Sequence, residues 1–235
     1  VRLKAYQKYI GLIEKRDDLY TEYVTVLNLD GRYDEAHQAI TRHVFGTWEG
    51  AEGKITTQFK ISLLEMAKTA LSKGDYQKAK DHLLEALSYP QNLGEGRLEG
   101  TKDNHLYYHL GLAYEGLGET DDAEKCFRLA TLGAMEPAGM MYYYDQPADM
   151  ILYQGLAYKK LGNQKEANRR FYRLLDYGEK HVRDIFKMDY FAVSMPDFTI
   201  FDEDMTKKNR AHCYYLMGLA CLGMEEKEQA AEHFR

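Results

Sequence analysis

Five alanines in phase constrain this chain more than any other feature. Ala36, Ala79, Ala123, Ala167 and Ala230 each stand four residues before a large apolar side chain, namely Ile40, Leu83, Phe127, Phe171 and Phe234. Twelve residues before each alanine stands Val24, Ala67, Gly111, Gly155 or Gly218, mostly small. Similarity at fixed offsets marks an array, in which each short unit buries its apolar face only against its neighbours. Three windows read almost alike: "LGLAYEGLGETDDAEKCF", "QGLAYKKLGNQKEANRRF" and "MGLACLGMEEKEQAAEHF".

The spacing fits two antiparallel helices per unit. Tyr107, Leu110, Gly111 and Tyr114 fall on one face of a first helix, and Ala123, Phe127 and Ala130 form a stripe on a second. A small residue lets two helices approach, and an aromatic ring fills the space beside it. Gly31, Gly74, Gly118 and Gly162 sit where a helix must end and reverse. The fold class expected is therefore all-α, an α-α superhelix of about five helical hairpins. With only four prolines in 235 residues, long helices meet few breaks.

The key alanines are 43, 44, 44 and 63 residues apart, so long insertions separate the hairpins. The insertions read "HVFGTWEGAEGK", "NLGEGRLEGTKD", "AGMMYYYDQPAD" and the long "HVRDIFKMDYFAVSMPDFTIFDEDMTKKNR". One repeat domain over 1–235 is expected, with units near 17–50, 60–93, 104–137, 148–181 and 211–235 and an insertion at 182–210. Residues 1–16 read as the second helix of an earlier unit, with Ala5, Tyr9 and Leu12 as its buried stripe. The chain opens without Met and closes inside a helical pattern, so a fragment of a longer protein is expected.

Gly111, Tyr114, Ala123, Phe127 and Ala130 carry the small–aromatic–small signature of the tetratricopeptide repeat superfamily, which the chain resembles over about three quarters of its length. Gly155, Tyr158, Ala167 and Phe171 match again, with Leu174 in place of the last alanine. The outer units are more degenerate: Val24 and Leu27 replace Gly and Tyr in the first, and Cys221 replaces Tyr in the last. A narrower resemblance lies in "RDDLYTEYVTVLNLDGRYDEA", "GTWEGAEGK", "YPQNLGEG" and "DYFAVSMPD". These are similar to the C-terminal repeat region of large bacterial multidomain proteins. There the repeats follow a β-rich domain of uncharacterised function with a suggested carbohydrate link. That resemblance implies that any catalytic domain lies upstream of Val1.

No reaction is legible in the chain itself. A phosphate loop of the Gly-x4-Gly-Lys-Ser/Thr type needs glycine at 48 and a hydroxyl at 55, where Trp48 and Ile55 stand. "GEGRLEG" has the wrong spacing for a dinucleotide fingerprint and carries acids between its glycines. His105 and His109 have i, i+4 metal-ligand spacing but no HExxH and no third ligand nearby, so two polar surface residues are expected there. Asp202, Glu203 and Asp204 read as an acidic helix start. Glu49, Glu52, Glu95 and Glu99 are acids without a converging pattern, and Ser62, Ser72, Ser88 and Ser194 lack a nucleophile elbow. No catalytic residue, metal or cofactor is expected within these residues.

A net charge of −6 and 29% charged residues argue against nucleic acid or membrane as partner. Cys126, Cys213 and Cys221 are odd in number and lack CxxC spacing, which suits a reducing, cytoplasmic setting. A protein or peptide is the expected partner, another domain of the same chain included. The family resemblance implies that first-helix residues line a concave binding face. In this sequence they are His105, Tyr108, His109, Leu112 and Glu115; Asp149, Leu152, Tyr153, Leu156 and Lys159; His212, Tyr215, Leu216 and Leu219; and Leu64, Glu65 and Lys68 of the second unit. The face lacks the Lys/Arg/Asn cluster that clamps a peptide carboxylate in chaperone-type members. The function expected is a non-enzymatic interaction scaffold. The alternative is an accessory region of a carbohydrate-active enzyme, with loop contacts from Trp48, Glu49 and Asn92.

Overall fold

The structure, a computed structural model, describes residues 2–47, 50–137, 145–185 and 204–235. Among them all regular structure is helical. Short α1 (Arg2–Lys8) and α2 (Ile10–Ile13) precede five hairpins. These are α3 (Asp17–Leu29) with α4 (Tyr33–Arg42), α5 (Lys54–Ser72) with α6 (Tyr76–Ala86), and α7 (Asn104–Leu117) with α8 (Thr120–Ala130). α9 (Met150–Lys160) then pairs with α10 (Gln164–His181), and α11 (Met205–Gly223) with α12 (Lys227–His233). A 3-10 turn, Gln91–Leu93, leads into the second insertion.

The chain divides into two compact units. The first comprises Val1–Thr101 and His109–Ala123, the second Lys102–Tyr108 and Glu124–Arg235. In the first, Val24, Ile40, Ala67 and Leu83 occupy the repeated small and large positions and are wholly buried. In the second, Phe171 is fully buried among Ile151, Leu174, Leu216 and Ala220. Glycine makes this packing possible. A methyl group on Gly155 would lie 2.3 Å from the Phe171 ring, and one on Gly223 would lie 2.4 Å from it. The same device recurs where Gly218 faces the Phe234 ring, 2.4 Å from where its Cβ would be. Fully burying a side chain such as Phe171 contributes about 1.5–3 kcal/mol, whereas Phe234 stays 46% exposed.

The helix ends follow elementary electrostatics and capping. Asp34 and Glu35 open α4 and Arg42 closes it; Asp121 and Asp122 open α8. Asp75, Asn163 and Asp204 each accept a hydrogen bond from a first-turn backbone N–H. Asp204 thereby starts α11, whereas Asp202 and Glu203 lie outside the described residues.

One expectation is corrected at the N-terminus. Ala5, Tyr9 and Leu12 do not form a buried stripe: Tyr9 and Leu12 are 55% and 64% exposed. Ile13 is buried instead, and Tyr6 sets its ring 6.2 Å from Tyr23 of α3. The 6/10/13 face satisfies helical spacing as well as the 5/9/12 face. The break at Tyr9, between α1 and α2, also rotates the second piece relative to a continuous helix.

Gly31, Gly74, Gly118 and Gly162 all adopt left-handed backbone, with φ of 74–77°. The fifth hairpin places Glu225 at the same position, and its φ is 69°. For an L-residue this costs about 1–2 kcal/mol. Its carboxylate accepts a hydrogen bond from Lys159 at 2.7 Å, a solvent-screened surface ion pair that offsets little of this strain. Glu225→Gly is therefore expected to raise the unfolding midpoint modestly in a denaturant titration; a clear fall would contradict the strain assignment.

Candidate functional site

The residues brought together most closely lie in the second unit, on the start of α7, on α9 and on α11. Tyr153 of α9 sets its ring 6.0 Å from both His105 and Tyr108 of α7, and Tyr108 lies 6.0 Å from the buried Phe127 ring. Four residues before Tyr153, and so on the same face of α9, stands Asp149. It sits at the N-terminus of α9, where the backbone N–H groups of Asp149 and Met150 favour its charged form. Burial outweighs them and raises its pKa; His212 of α11 acts in the opposite sense. Burial also lowers the pKa of His212, against the pull of Asp149. The Tyr215 hydroxyl is pushed up to about 12 by burial and by the Asp149 charge, although the residue as a whole is 42% exposed. Tyr215 is thus a neutral hydrogen-bonding group at physiological pH.

The other inferred face residues divide. Lys159 donates to the Gly223 carbonyl at 3.2 Å and to Glu225, so it ties α9 to the α11–α12 turn. Leu152, Leu216 and Leu219 belong to the buried core of the second unit, and Leu64 is buried in the first. They correct the assignment of these leucines to an open face. Leu156 is half-buried against the same core. His109 and Leu112 are half-buried, Glu115 is exposed, and all three belong to the first unit. There Glu65 and Lys68 pair with each other at 2.7 Å.

The loop residues have a different role. Trp48 and Glu49 lie outside the described residues. Asn92 spends both amide protons on backbone, donating to the Ile40 carbonyl at 2.8 Å and the His43 carbonyl at 2.7 Å. Its own carbonyl accepts from Phe45 N–H at 2.8 Å. Gly94 approaches so closely that a Cβ there would stand 2.6 Å from the Phe45 carbonyl oxygen. Asp17 holds the same loop, bonding His43 Nε2 and accepting from Gly46 N–H, each at 2.7 Å. Tyr20 stacks on the His43 ring at 4.2 Å. Glu95 accepts from Gly53 N–H at 2.9 Å, and burial raises its pKa. The second insertion therefore pins the first.

Two structural groups were missed in the sequence. Asn104 repeats the Asn92 device on α8, donating to the Ala130 and Leu132 carbonyls at 2.8 and 2.7 Å. Arg170 and Gln154 form a buried polar pair at 3.0 Å, with Glu166 on the guanidinium and the Tyr158 ring stacked 5.0 Å away. An asparagine at the first position of a helical hairpin is the signal that could have exposed the first. Among the described residues no group of three potential metal-binding side chains occurs, and no helix is long and apolar enough to cross a membrane. All three cysteines are buried, and no disulfide joins them.

Comparison with known proteins agrees with this architecture. Tetratricopeptide repeat family descriptions match residues 62–92, 105–132 and 149–177. Those segments fall on α5–α6, α7–α8 and α9–α10, so these three hairpins match tetratricopeptide repeats. As a class such repeats are protein-interaction scaffolds. Among solved structures, a crystal structure of MamA is similar at 17% identity, with 90% of each chain covered and a TM-score of 0.31. A second crystal structure of MamA protein gives 18% identity, 93% and 87% coverage and a TM-score of 0.32. Overlays at such scores add nothing to the repeat matches.

The Asp149–His212 pair yields a direct test. Asp149 raises the His212 pKa, so Asp149→Asn is expected to lower it further. His212 titration followed by proton NMR should move to lower pH in the variant; an unchanged or upward-shifted titration would contradict the arrangement.

Proposed function

We propose that the chain is a non-enzymatic scaffold whose α7–α9–α11 surface in the second unit holds a peptide or protein segment. The observation that carries this reading is the mixed surface made by His105, Tyr108 and Tyr153 beside Asp149, His212 and Tyr215. Tyrosine offers a large apolar face and a polar tip with little conformational freedom to lose, a combination enriched in binding surfaces. The half-buried Asp149 would orient a ligand, because a partly desolvated charge discriminates strongly among partners. Lys159 is engaged within the chain and is best read as support for this surface, not as a contact.

A wider proposal rests on the insertions alone. Their likeness to C-terminal repeat regions of large bacterial multidomain proteins suggests that the partner is a neighbouring domain of the same protein. The glycan reading gains no support from Asn92, whose amide is committed to backbone carbonyls.

Peptides selected from a random displayed library against the 235-residue chain provide the test, with binding mapped by amide shift changes. Shifts are expected at residues 105, 108, 149, 153, 212 and 215, with Tyr215→Ala weakening binding by about tenfold or more. Shifts confined to the outer faces of α8 and α10, with Tyr215→Ala binding as wild type, would overturn the proposal.

A further inference from the structure

The Asp149 carboxylate carries a charge that the chain does not pair. Asp149 is half-buried at the start of α9, and its side chain makes no capping hydrogen bond. Neither carboxylate oxygen is sealed from solvent, so a ligand atom can reach it. Among the described residues Asp149 forms no ion pair with a lysine or arginine. Lys159, on the same helix, is held by Glu225 and the Gly223 carbonyl.

Compensation within the protein is incomplete. Backbone N–H groups at the helix start and His212 favour the ionised carboxylate, yet burial outweighs both and raises its pKa. Burial also lowers the His212 pKa, so the imidazole that acts on Asp149 is itself uncharged at neutral pH. A partly desolvated carboxylate in this position gains from a cation that a ligand brings.

The surroundings suit a cation carried on a flat or apolar stem. His212 and Tyr215 stand three residues apart on one face of α11, and both are exposed. Tyr153 follows one turn after Asp149 on α9, with its ring against those of His105 and Tyr108. Leu152 of α9 and Leu216 and Leu219 of α11 join the two helices in the buried core. Aromatic faces are electrostatically negative and attract cations. A planar guanidinium can stack on a ring while its edge meets a carboxylate with two hydrogen bonds.

We propose that the segment held on this surface inserts a basic side chain, arginine above lysine, beside Asp149 and Tyr215. The inference rests on the α7–α9–α11 surface proposed for the scaffold and names what that surface selects. The guanidinium pairs with the Asp149 carboxylate, and its stem lies along the tyrosines. An acidic residue at the same place in the segment is repelled by that carboxylate, which makes the choice of partner a choice of charge.

The test uses peptides selected against the wild-type chain from a random displayed library, each then synthesised in two forms. One form keeps the enriched arginine or lysine, and the other carries uncharged citrulline or acetyl-lysine in its place. Both are titrated by calorimetry into wild type and into Asp149→Asn, where asparagine retains the preference for a helix start. The neutral form is expected to bind wild type at least about tenfold more weakly, and that difference should largely vanish in Asp149→Asn. Peptides that shift residues 149, 153 and 215 without an enriched basic position would overturn this inference and leave the surface reading standing. An equal loss on both proteins would do the same. Peptides that bind only the outer faces of α8 and α10 would overturn both. Should Asp149→Asn lose its thermal unfolding transition, the wild-type comparison decides alone, and equal affinity of the two forms overturns the inference.

Discussion

The second unit depends on one ring and two missing methyl groups. Phe171 reaches from α10 against Gly155 of α9 and Gly223 of α11, each too close for a Cβ. Three helices are thereby set at one separation, and the buried residues around the ring fill the remaining space. A close-packed interior transmits such a constraint outward, because neighbouring side chains have no slack with which to absorb a shift. The positions of Tyr153 and Asp149 on α9, and of His212 and Tyr215 on α11, follow from it. The candidate surface is in that sense a product of the core beneath it.

Among the described residues, the second insertion is tied to the first. Asn92, Asp17 and Glu95 hold residues 43–46 and Gly53 by bonding backbone groups that no helix satisfies. Backbone polar groups in a packed connection need partners, and asparagine offers two donors on a short stem. Asn104 serves the next hairpin end in the same way. An asparagine that looked like a loop contact for a ligand is thus a structural tie. The loop glycines of "HVFGTWEGAEGK" and "NLGEGRLEGTKD" serve close approach and turning, not phosphate.

What was legible in the sequence is what periodicity encodes. The turn glycines at 31, 74, 118 and 162 announce left-handed backbone because other residues adopt it at a cost. The Gly155–Phe171 and Gly218–Phe234 pairs follow from the repeat's fixed offset of sixteen residues between the two helices of a hairpin. Rotation of a helix about its own axis is encoded less well. The Ala5/Tyr9/Leu12 stripe was one residue out of phase, and Leu152, Leu216 and Leu219 proved to be core, because adjacent faces of a helix buried on several sides look equally apolar. Glu225 carries no signature of its strained backbone, since its type gives no hint of positive φ. In the candidate site the residue types were readable, but the coupling of Asp149, His212 and Tyr215 joins separate hairpins and has no local pattern.

The central claim is that the Phe171 ring and the absence of a side chain at Gly155 act together to fix the helix separation. A double-mutant cycle with Gly155→Ala and Phe171→Leu in denaturant unfolding tests it most directly. Trimming the ring should make room for the added methyl, so the double variant is expected to be more stable than the sum of the single losses implies, by about 1 kcal/mol or more. Losses that add within about 0.3–0.5 kcal/mol would contradict the account.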